Sequence, residues 1–293
     1  KDIYSKNKNL YWFDMRDSAG TTQFEVLPLV KKYIKKQFYK DKKNYLKKLE
    51  GGRIYTDHYI KKYNLKDYND YDQEFLDNSY LSKLTLGWNL GVAFFFDYVN
   101  FSKIDYFLEL IKFNYLNQLN YKMKLPYYEN WNDDDKKYDV FSLMNTNFQR
   151  TSVGYQRIKL KEILENMKNK NKITEGRFNK KRYYEFLRNS KVSIGAYGWG
   201  EVCYREFEAI NCGTAFMTAD MSNIETWPNI YQEGETYLSY GFDFEKLNYN
   251  LDTLINDINL RKKLVNNSRS IIQSCHSAIG KDYFIKKILE IIK

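Results

Sequence analysis

The C-terminal half of the chain alternates short apolar runs with longer stretches whose apolar residues recur every three to four positions. The first pattern predicts buried strands, and the second predicts helices that cover them. The clearest unit spans residues 192–218, where two apolar runs flank a glycine turn and a helical stretch over 202–211. Gly213 stands where a helix C-cap is expected, so the pattern predicts strand, turn, helix, strand.

Strands and helices are also predicted on both sides of this unit. They are a strand over 138–144, a helix over 154–167, a strand over 173–177, a helix over 179–188, an extended segment over 235–240, and helices over 243–258, 260–274 and 283–292. Strands that alternate with helices in this way form βαβ units and parallel sheets. Residues 221–227 between them predict a turn.

The N-terminal half is less regular. The predicted elements are a strand over 9–13, a long helix over 24–49 with Pro28 near its start, a short strand or extended loop over 54–56, an apolar core stretch over 84–96 and an amphipathic helix over 104–121. Residues 122–137 contain Pro126 and an acidic run, which makes this stretch the best domain boundary by composition. We therefore expect an α/β protein with domains at 1–135 and 136–277, and a final helix within 278–293 that packs back on the first domain.

The residues best suited to bind a ligand lie in the glycine turn over 198–200 and in the helix that follows it. A helix that begins at the carboxyl edge of a parallel sheet offers free N–H groups and a positive dipole end to an anion. Gly198 and Gly200 allow the backbone to turn tightly and to approach a ligand. Glu201, Arg205 and Glu208 fall on one helix face, where an arginine suits a diphosphate and a glutamate suits ribose hydroxyls. The alternative is a Glu201–Arg205 ion pair worth about 0.3–0.5 kcal/mol.

The N-terminal half supplies candidates for a base. Asp14 and Asp17 follow the predicted first strand, where polar residues often line a site, and they suit a metal ion or a base; capping of the next helix is the alternative for Asp17. His58 has Asp57 beside it and suits a general base near neutral pH, with a structural hydrogen bond as the alternative.

Composition narrows the class of protein. The chain has 293 residues, 43% of them hydrophobic, and a net charge of +10. Such a charge suits phosphate-bearing substrates, polyanions or an anionic membrane surface, and nucleic acid is disfavoured because lysines are spread along the chain. Three cysteines without close spacing predict neither disulfides nor a zinc site, so we expect a reducing, cytoplasmic setting with peripheral membrane contact as an option. No apolar run reaches membrane-spanning length.

Residues 200–213 (Gly-Glu-Val-Cys-Tyr-Arg-Glu-Phe-Glu-Ala-Ile-Asn-Cys-Gly) resemble the donor-site segment of GT-B glycosyltransferases, most closely of the exostosin type. Residues 220–225 and 233–238 are similar to the next segment of that family. The resemblance covers roughly residues 138–258 and, to a lesser degree, residues 10–59. It implies two Rossmann-like domains, with a nucleotide diphosphate sugar bound by the second domain and a glycan, lipid-linked or protein acceptor bound by the first. The N-terminal domain is short for this family, so we expect it to be reduced or truncated.

The resemblance also assigns residues. Arg205 would face the diphosphate, Glu208 the ribose, and Glu225 the donor sugar or a phosphate; Arg150 and Arg157 are added from their position after the strand over 138–144. GT-B enzymes usually need no metal ion or other cofactor, because helix dipoles and basic side chains neutralise the leaving diphosphate.

The spacing of acidic residues departs from the retaining GT-B pattern. Eight positions before Glu208 stands Gly200, and the nearest glutamate is Glu201. This favours inversion, which needs a base from the first domain. The candidates for that base are Asp17, Asp57 and His58.

Three other functions stay open. One is a metal-dependent glycosyltransferase that uses Asp14 and Asp17 or the acidic run 133–135, which strict Mn²⁺ or Mg²⁺ dependence would favour. Another is a non-catalytic basic module, which steeply salt-dependent polyanion binding would favour. The third is an inactive GT-B scaffold that binds a nucleotide without turnover.

Overall fold

Two parallel β-sheets organise the computed structural model, which describes residues 9–67, 76–92, 132–174 and 178–293. The first sheet has the order β1-β2-β4, with β1 at Tyr11–Asp14, β2 at Lys32–Lys35 and β4 at Leu84–Leu86. The second has the order β10-β8-β7-β5-β6, with β5 at Tyr138–Phe141, β6 at Ile173–Thr174, β7 at Ser190–Ile194, β8 at Ala215–Thr218 and β10 at Leu238–Ser239. The predicted α/β class with parallel sheets is confirmed.

Helices alternate with the strands of the second sheet. The α-helices of the described residues are α1 (Ile54–Tyr63), α2 (Thr151–Met167), α3 (Lys180–Arg188), α4 (Tyr204–Asn211), α5 (Leu247–Asn256), α6 (Ile258–His276) and α7 (Ala278–Ile292). Short 3₁₀ helices occupy Phe24–Leu29, Lys42–Leu46, Glu50–Gly52, Asn78–Lys83 and Leu90–Val92. Within the described ranges, no helix combines the length and apolar character needed to cross a bilayer.

We call described residues 9–92 the N-terminal lobe and described residues 132–276 the C-terminal lobe. An antiparallel pair joins them, because β3 (Gln37–Tyr39) pairs with β9 (Ile224–Thr226). Helix α7 then contacts the N-terminal lobe at its middle and at its end: Phe284 packs on Trp88 at 5.2 Å between ring centroids, and the Tyr11 hydroxyl donates to the Ile292 carbonyl at 2.5 Å.

The predicted long helix over 24–49 is wrong. That stretch contains two 3₁₀ helices and strands β2 and β3. Pro28 lacks an N–H for an α-helical ladder, and Tyr33 and Ile34 fill the core of the sheet. Lys35 belongs to β2 and is buried against Asp14, with Nζ to Oδ2 at 2.7 Å.

Three other predicted elements either differ from the structure or lie outside the described residues. Residues 54–56 begin a helix and not a strand, because the Thr56 hydroxyl accepts the Arg53 N–H at 3.1 Å and starts α1. The turn predicted over 221–227 contains strand β9. The predicted helix over 104–121, with residues 93–96 and 122–131, lies outside the described residues.

The order of the second sheet places its switch point between β5 and β7. From β5 the chain goes to β6 on one side and then to β7, β8 and β10 on the other. The loops after β5 and β7 therefore diverge and open a crevice at the carboxyl edge, which is where α/β sheets bind ligands.

Candidate functional site

A cleft of about 690 Å³ lies between the two lobes. The carboxyl ends of β1 and β2 and the loop after β4 form its N-terminal wall. The loops after β5 and β7 and the start of α4 form its C-terminal wall. A second crevice of about 730 Å³ runs along the carboxyl ends of β5 and β6, and Asn145 lines both spaces.

The glycine turn after β7 needs glycine at two positions. The Gly198 N–H donates to the Gly200 carbonyl at 3.1 Å, which closes the turn. A Cβ on Gly200 would lie 2.3 Å from the Asp17 carbonyl oxygen, and a Cβ on Gly198 would lie 2.8 Å from Arg157 Nη2. The turn therefore touches the opposite lobe and the arginine through its bare backbone.

Two arginines lie near the carboxyl ends of the strands at the cleft. Arg157 of α2 lines it, with Nε donating to the Tyr197 carbonyl at 2.6 Å and Nη1 to the Asn145 carbonyl at 3.1 Å. Arg205 of α4 lies against Gly195 at the end of β7, where a Cβ would be 2.7 Å from its Nη1. That Nη1 is buried and has no hydrogen-bond partner among the described residues.

The charges of these two side chains are close together. Burial lowers the pKa of Arg157, and the charge of Arg205 lowers that pKa further. A positive pair with an unused N–H group is suited to bind an anion.

Glu206 is a site residue that the sequence reasoning missed. It lies in the first turn of α4, and its Oε2 is buried without a hydrogen-bond partner in the described structure. Burial raises its pKa to about 7, although Arg205 and Arg157 oppose the shift. Burial also raises the pKa of the neighbouring Cys203 thiol to about 12, so that thiol is protonated at neutral pH.

Glu201 joins the two lobes. It precedes α4 and is 4% exposed. Its Oε1 accepts from the Ser18 hydroxyl at 2.9 Å, and its Oε2 accepts from the Ala19 N–H at 2.9 Å and from Gln37 Nε2 at 2.7 Å. All three donors belong to the N-terminal lobe, so the Glu201 carboxylate fastens the glycine turn to that lobe.

Three other predicted donor-site residues lie outside the cleft. Glu208 accepts hydrogen bonds from the hydroxyls of two tyrosines of α3, at 2.6 and 2.8 Å. Glu225 of β9 pairs with Lys42. Arg150 is buried before α2, and its Nη2 donates to the Gly51 carbonyl at 2.8 Å.

Of the three predicted bases, Asp17 lines the cleft. Its side chain is 67% exposed, and Lys36 Nζ approaches Oδ1 at 3.1 Å. Asp57 and His58 lie on α1 outside the cleft. Asp57 pairs with Lys61, and His58 Nε2 is 3.0 Å from Asp243 Oδ1.

Two other acidic residues considered for a metal ion are paired with basic side chains. Asp14 is buried between Lys35 and the Tyr33 hydroxyl, at 2.7 and 2.5 Å. Asp133 is buried against Arg261, whose Nε donates to it at 2.8 Å. In the described part of the chain, no three His, Cys, Asp or Glu residues are grouped so as to hold a metal ion.

Aromatic residues of the cleft also escaped the sequence reasoning, because a chain with 28 Tyr and 19 Phe gives single aromatics little weight. Phe13 and Trp88 stand on the N-terminal wall, and Phe148 and Trp199 on the C-terminal wall. The signal that would have found Trp199 is its position between the two glycines of the turn.

Comparison with known proteins gives fold neighbours among solved structures. No family model matches the chain, and no curated protein matches it. The C-terminal domain of a group 1 family glycosyl transferase (LpcC) from Francisella tularensis is similar with a TM-score of 0.35 and 16% identity, over 52% of this chain and 95% of that one. A glycosyltransferase from Rickettsia africae is similar with a TM-score of 0.41 and 13% identity, over 97% of this chain and 69% of that one.

A further neighbour is TarM from S. aureus, whose structure contains fondaparinux, alpha-GlcNAc-glycerol and UDP. It is similar with a TM-score of 0.38 and 10% identity, over 57% of this chain and 37% of that one. Similarity at this level carries no conclusion about activity.

Proposed function

We propose that the chain is a glycosyltransferase of the GT-B type, which moves a sugar from a nucleotide diphosphate sugar to a hydroxyl of a glycan, lipid-linked or protein acceptor. One observation carries the proposal: Arg157, which lines the cleft against Gly198, and Arg205, which lies against Gly195, follow the two strands of the switch point on either side of the glycine turn. An anionic ligand placed there would meet the unused Nη1 of Arg205. The second crevice, which adjoins at Asn145, offers room for the nucleoside.

The reaction is a displacement at the anomeric carbon. The acceptor oxygen forms a bond to that carbon, the bond from the carbon to the diphosphate oxygen breaks, and the acceptor proton passes to a base. Charge develops on the departing diphosphate, where the two arginines stabilise it without a metal ion. Asp17 stands on the opposite wall and is the base we assign, which makes inversion the expected outcome.

The first test is a thermal-shift titration with UDP, GDP, CMP and ADP, with and without Mn²⁺. Binding to the folded state adds about 2.7 kcal/mol of stability at a hundredfold excess over Kd. A shift with one nucleotide that is independent of metal supports the proposal and identifies the donor class. A shift that requires metal favours the metal-dependent alternative, and no shift with any nucleotide rejects the site.

Arg205→Ala links that test to the residue. Its loss should weaken nucleotide binding by about 1.5–3 kcal/mol, which is the range for hydrogen bonds to charged groups. Arg182→Ala is the matched control, because Arg182 is an exposed arginine on α3. Equal nucleotide affinities of the folded Arg205→Ala variant and the control would reject the diphosphate role.

The net charge of +10 favours a second candidate, a binding module for polyanions. Polyanion binding that falls steeply with salt, without a nucleotide shift, would favour this candidate.

A further inference from the structure

Two aromatic pairs face the cleft from opposite lobes. Phe13 and Trp88 are 5.9 Å apart between ring centroids on the N-terminal wall. Phe148 and Trp199 are 5.6 Å apart on the C-terminal wall. Phe13 is 45% exposed and Trp199 is 44% exposed. Large apolar rings left open in a concave site are typical of surfaces that a ligand covers.

The ring of Trp88 is held in place without a ligand. It packs edge-on against Phe284 of α7 at 5.2 Å. The preceding Gly87 packs closely against β2, because a Cβ there would lie 2.9 Å from Ile34 Cγ2. A flat, fixed aromatic surface loses little conformational freedom when a ligand binds to it.

The charged groups of the same wall are paired with each other. The side chains of Asp14 and Lys35 are fully buried, with Oδ2 and Nζ 2.7 Å apart. Asp17 Oδ1 and Lys36 Nζ are 3.1 Å apart. Burial lowers the pKa of Lys35, and Asp14 opposes that shift. Among the described residues of the N-terminal wall, each charged group therefore has a partner of opposite charge, whereas Arg157 gives the opposite wall a positive charge.

Polar groups are interspersed with the rings. The Asp17 carboxylate is open to solvent, and Asn147 and Gln149 are exposed on the rim. A hydrocarbon chain in the cleft would remove water from these groups without replacing its hydrogen bonds. A sugar ring satisfies both kinds of surface, because its C–H face packs on an aromatic ring and its hydroxyls bond to carboxylate and amide groups.

We propose that the N-terminal wall is a subsite for an uncharged sugar ring, stacked on the exposed Phe13 ring beside Trp88, and that the acceptor is consequently a neutral glycan. The identification of this glycan as the acceptor rests on the proposed transferase function. The binding of the glycan itself does not depend on nucleotide binding.

The test begins with the purified chain on a printed array of neutral glycans and of glycans that carry uronate, sialate or sulfate. We expect the bound set to be neutral. The affinity of the best neutral glycan is then measured by tryptophan fluorescence for the wild type and its variants. Phe13→Ala should weaken this binding roughly tenfold, as truncation of an aromatic contact residue does.

Controls separate stacking from folding. Phe13→Tyr retains the flat ring and should bind as the wild type does, whereas Phe13→Leu retains apolar volume and should lose affinity as Phe13→Ala does. Tyr249→Ala is the matched surface control, because Tyr249 is 77% exposed on α5 outside the cleft. All four variants should keep their melting temperature and the nucleotide-induced shift.

Several outcomes would overturn the subsite. They are a bound set restricted to anionic glycans, no glycan binding at all, unchanged affinity in both Phe13→Ala and Phe13→Leu, or binding that requires a lipid tail on the glycan. A nucleotide shift without neutral-glycan binding rejects the subsite and keeps the transferase. Neutral-glycan binding without any nucleotide shift keeps the subsite and rejects the transferase.

Discussion

Removing the Glu201 carboxylate should loosen the contact between the two lobes. The side chain accepts three hydrogen bonds from Ser18, Ala19 and Gln37, and it is almost fully buried. In Glu201→Ala, Gln37 Nε2 still donates to the Asp17 carbonyl at 2.6 Å. The Ser18 hydroxyl still accepts from the Gly20 N–H at 3.1 Å, but its own O–H loses its acceptor.

The Ala19 N–H has no other partner within the described residues. An unsatisfied buried donor costs about 1–3 kcal/mol, and each lost hydrogen bond to a charged group costs about 1.5–3 kcal/mol. The mutation also removes the cost of burying a carboxylate, and water can enter the space that it leaves. Both effects offset part of this loss. We therefore expect a destabilisation of about 3 kcal/mol, which lowers Tm by roughly 6–12 °C in a protein of this size.

Thermal unfolding followed by circular dichroism measures this change. Glu201→Gln keeps the volume but sets an amide N–H₂ against a donor, so its Tm should fall between those of the wild type and Glu201→Ala. Glu162→Ala is the control, because Glu162 is an exposed glutamate that pairs with Lys159 at 2.7 Å along α2, and its loss should leave Tm within about 1 °C. An unchanged Tm for Glu201→Ala would refute the role in joining the lobes, and lost nucleotide affinity at unchanged Tm would assign Glu201 to the donor instead.

Three further changes test other parts of the site. Gly200→Ala places a Cβ 2.3 Å from the Asp17 carbonyl oxygen and should destabilise the protein by about 1–3 kcal/mol in urea unfolding, whereas Gly154→Ala, with its nearest atom at 3.4 Å inside α2, should not. The pKa of Asp243 is lowered to about 2, because hydrogen bonds from Lys62, His58 and Tyr63 outweigh the effect of burial. The stability from this lowered pKa is present above pH ~4 and is lost as the pH falls toward 2, so Asp243→Asn should flatten the urea midpoint over this range; parallel midpoints of both proteins would contradict the assignment. Burial raises the pKa of Glu206 to about 7, so below that pH the carboxyl is neutral and no longer offsets the positive charges of Arg205 and Arg157. A nucleotide diphosphate sugar should therefore bind several-fold more tightly at pH 6 than at pH 8. In Glu206→Gln, calorimetry should show equal affinities at the two pH values.

The C-terminal lobe was predictable because its signals are local. Its strands are short apolar runs, and α4 ends where the glycine at 213 requires it. Gly213 has a φ of +67°, and the Thr214 N–H donates to the Ala209 carbonyl at 2.9 Å in the six-to-one bond of a Schellman cap. A residue with positive φ that follows a helical run identifies the end of the helix without any tertiary contact.

The N-terminal lobe was harder to predict from the sequence because several of its polar residues are buried. Lysine ordinarily indicates a solvated face, but Lys35 is 1% exposed and its charge is balanced by Asp14, 21 positions earlier in the chain. Periodicity that counts Lys35 as exposed predicts a helix, whereas the buried ion pair is compatible with a strand. No local pattern reveals a partner at that separation.

The candidate site shows the same difference between residues with local sequence signals and residues with distant partners. The glycines of the turn and Arg157 were found from their place after a strand, and the structure places them on the cleft. Glu208 was assigned from helical spacing and from the family resemblance, and neither reveals its two tyrosine partners on α3. Asp57 and His58 are adjacent in sequence, but neighbours on a helix point in different directions.

The joining of the lobes bears on how the proposed reaction is set up. Gln37 Nε2 bonds both to the Glu201 carboxylate and to the Asp17 carbonyl, at 2.7 and 2.6 Å, and Gly200 packs on that same carbonyl. The Tyr55 hydroxyl of the N-terminal lobe also donates to the Gly198 carbonyl at 2.8 Å. The backbone of the assigned base and the turn beside the arginines are therefore held by one connected set of contacts. Rotation of one lobe against the other would break these contacts, so we infer that the distance between Asp17 and the anion site is fixed before substrates bind, and that closure over a substrate involves side chains at the rim.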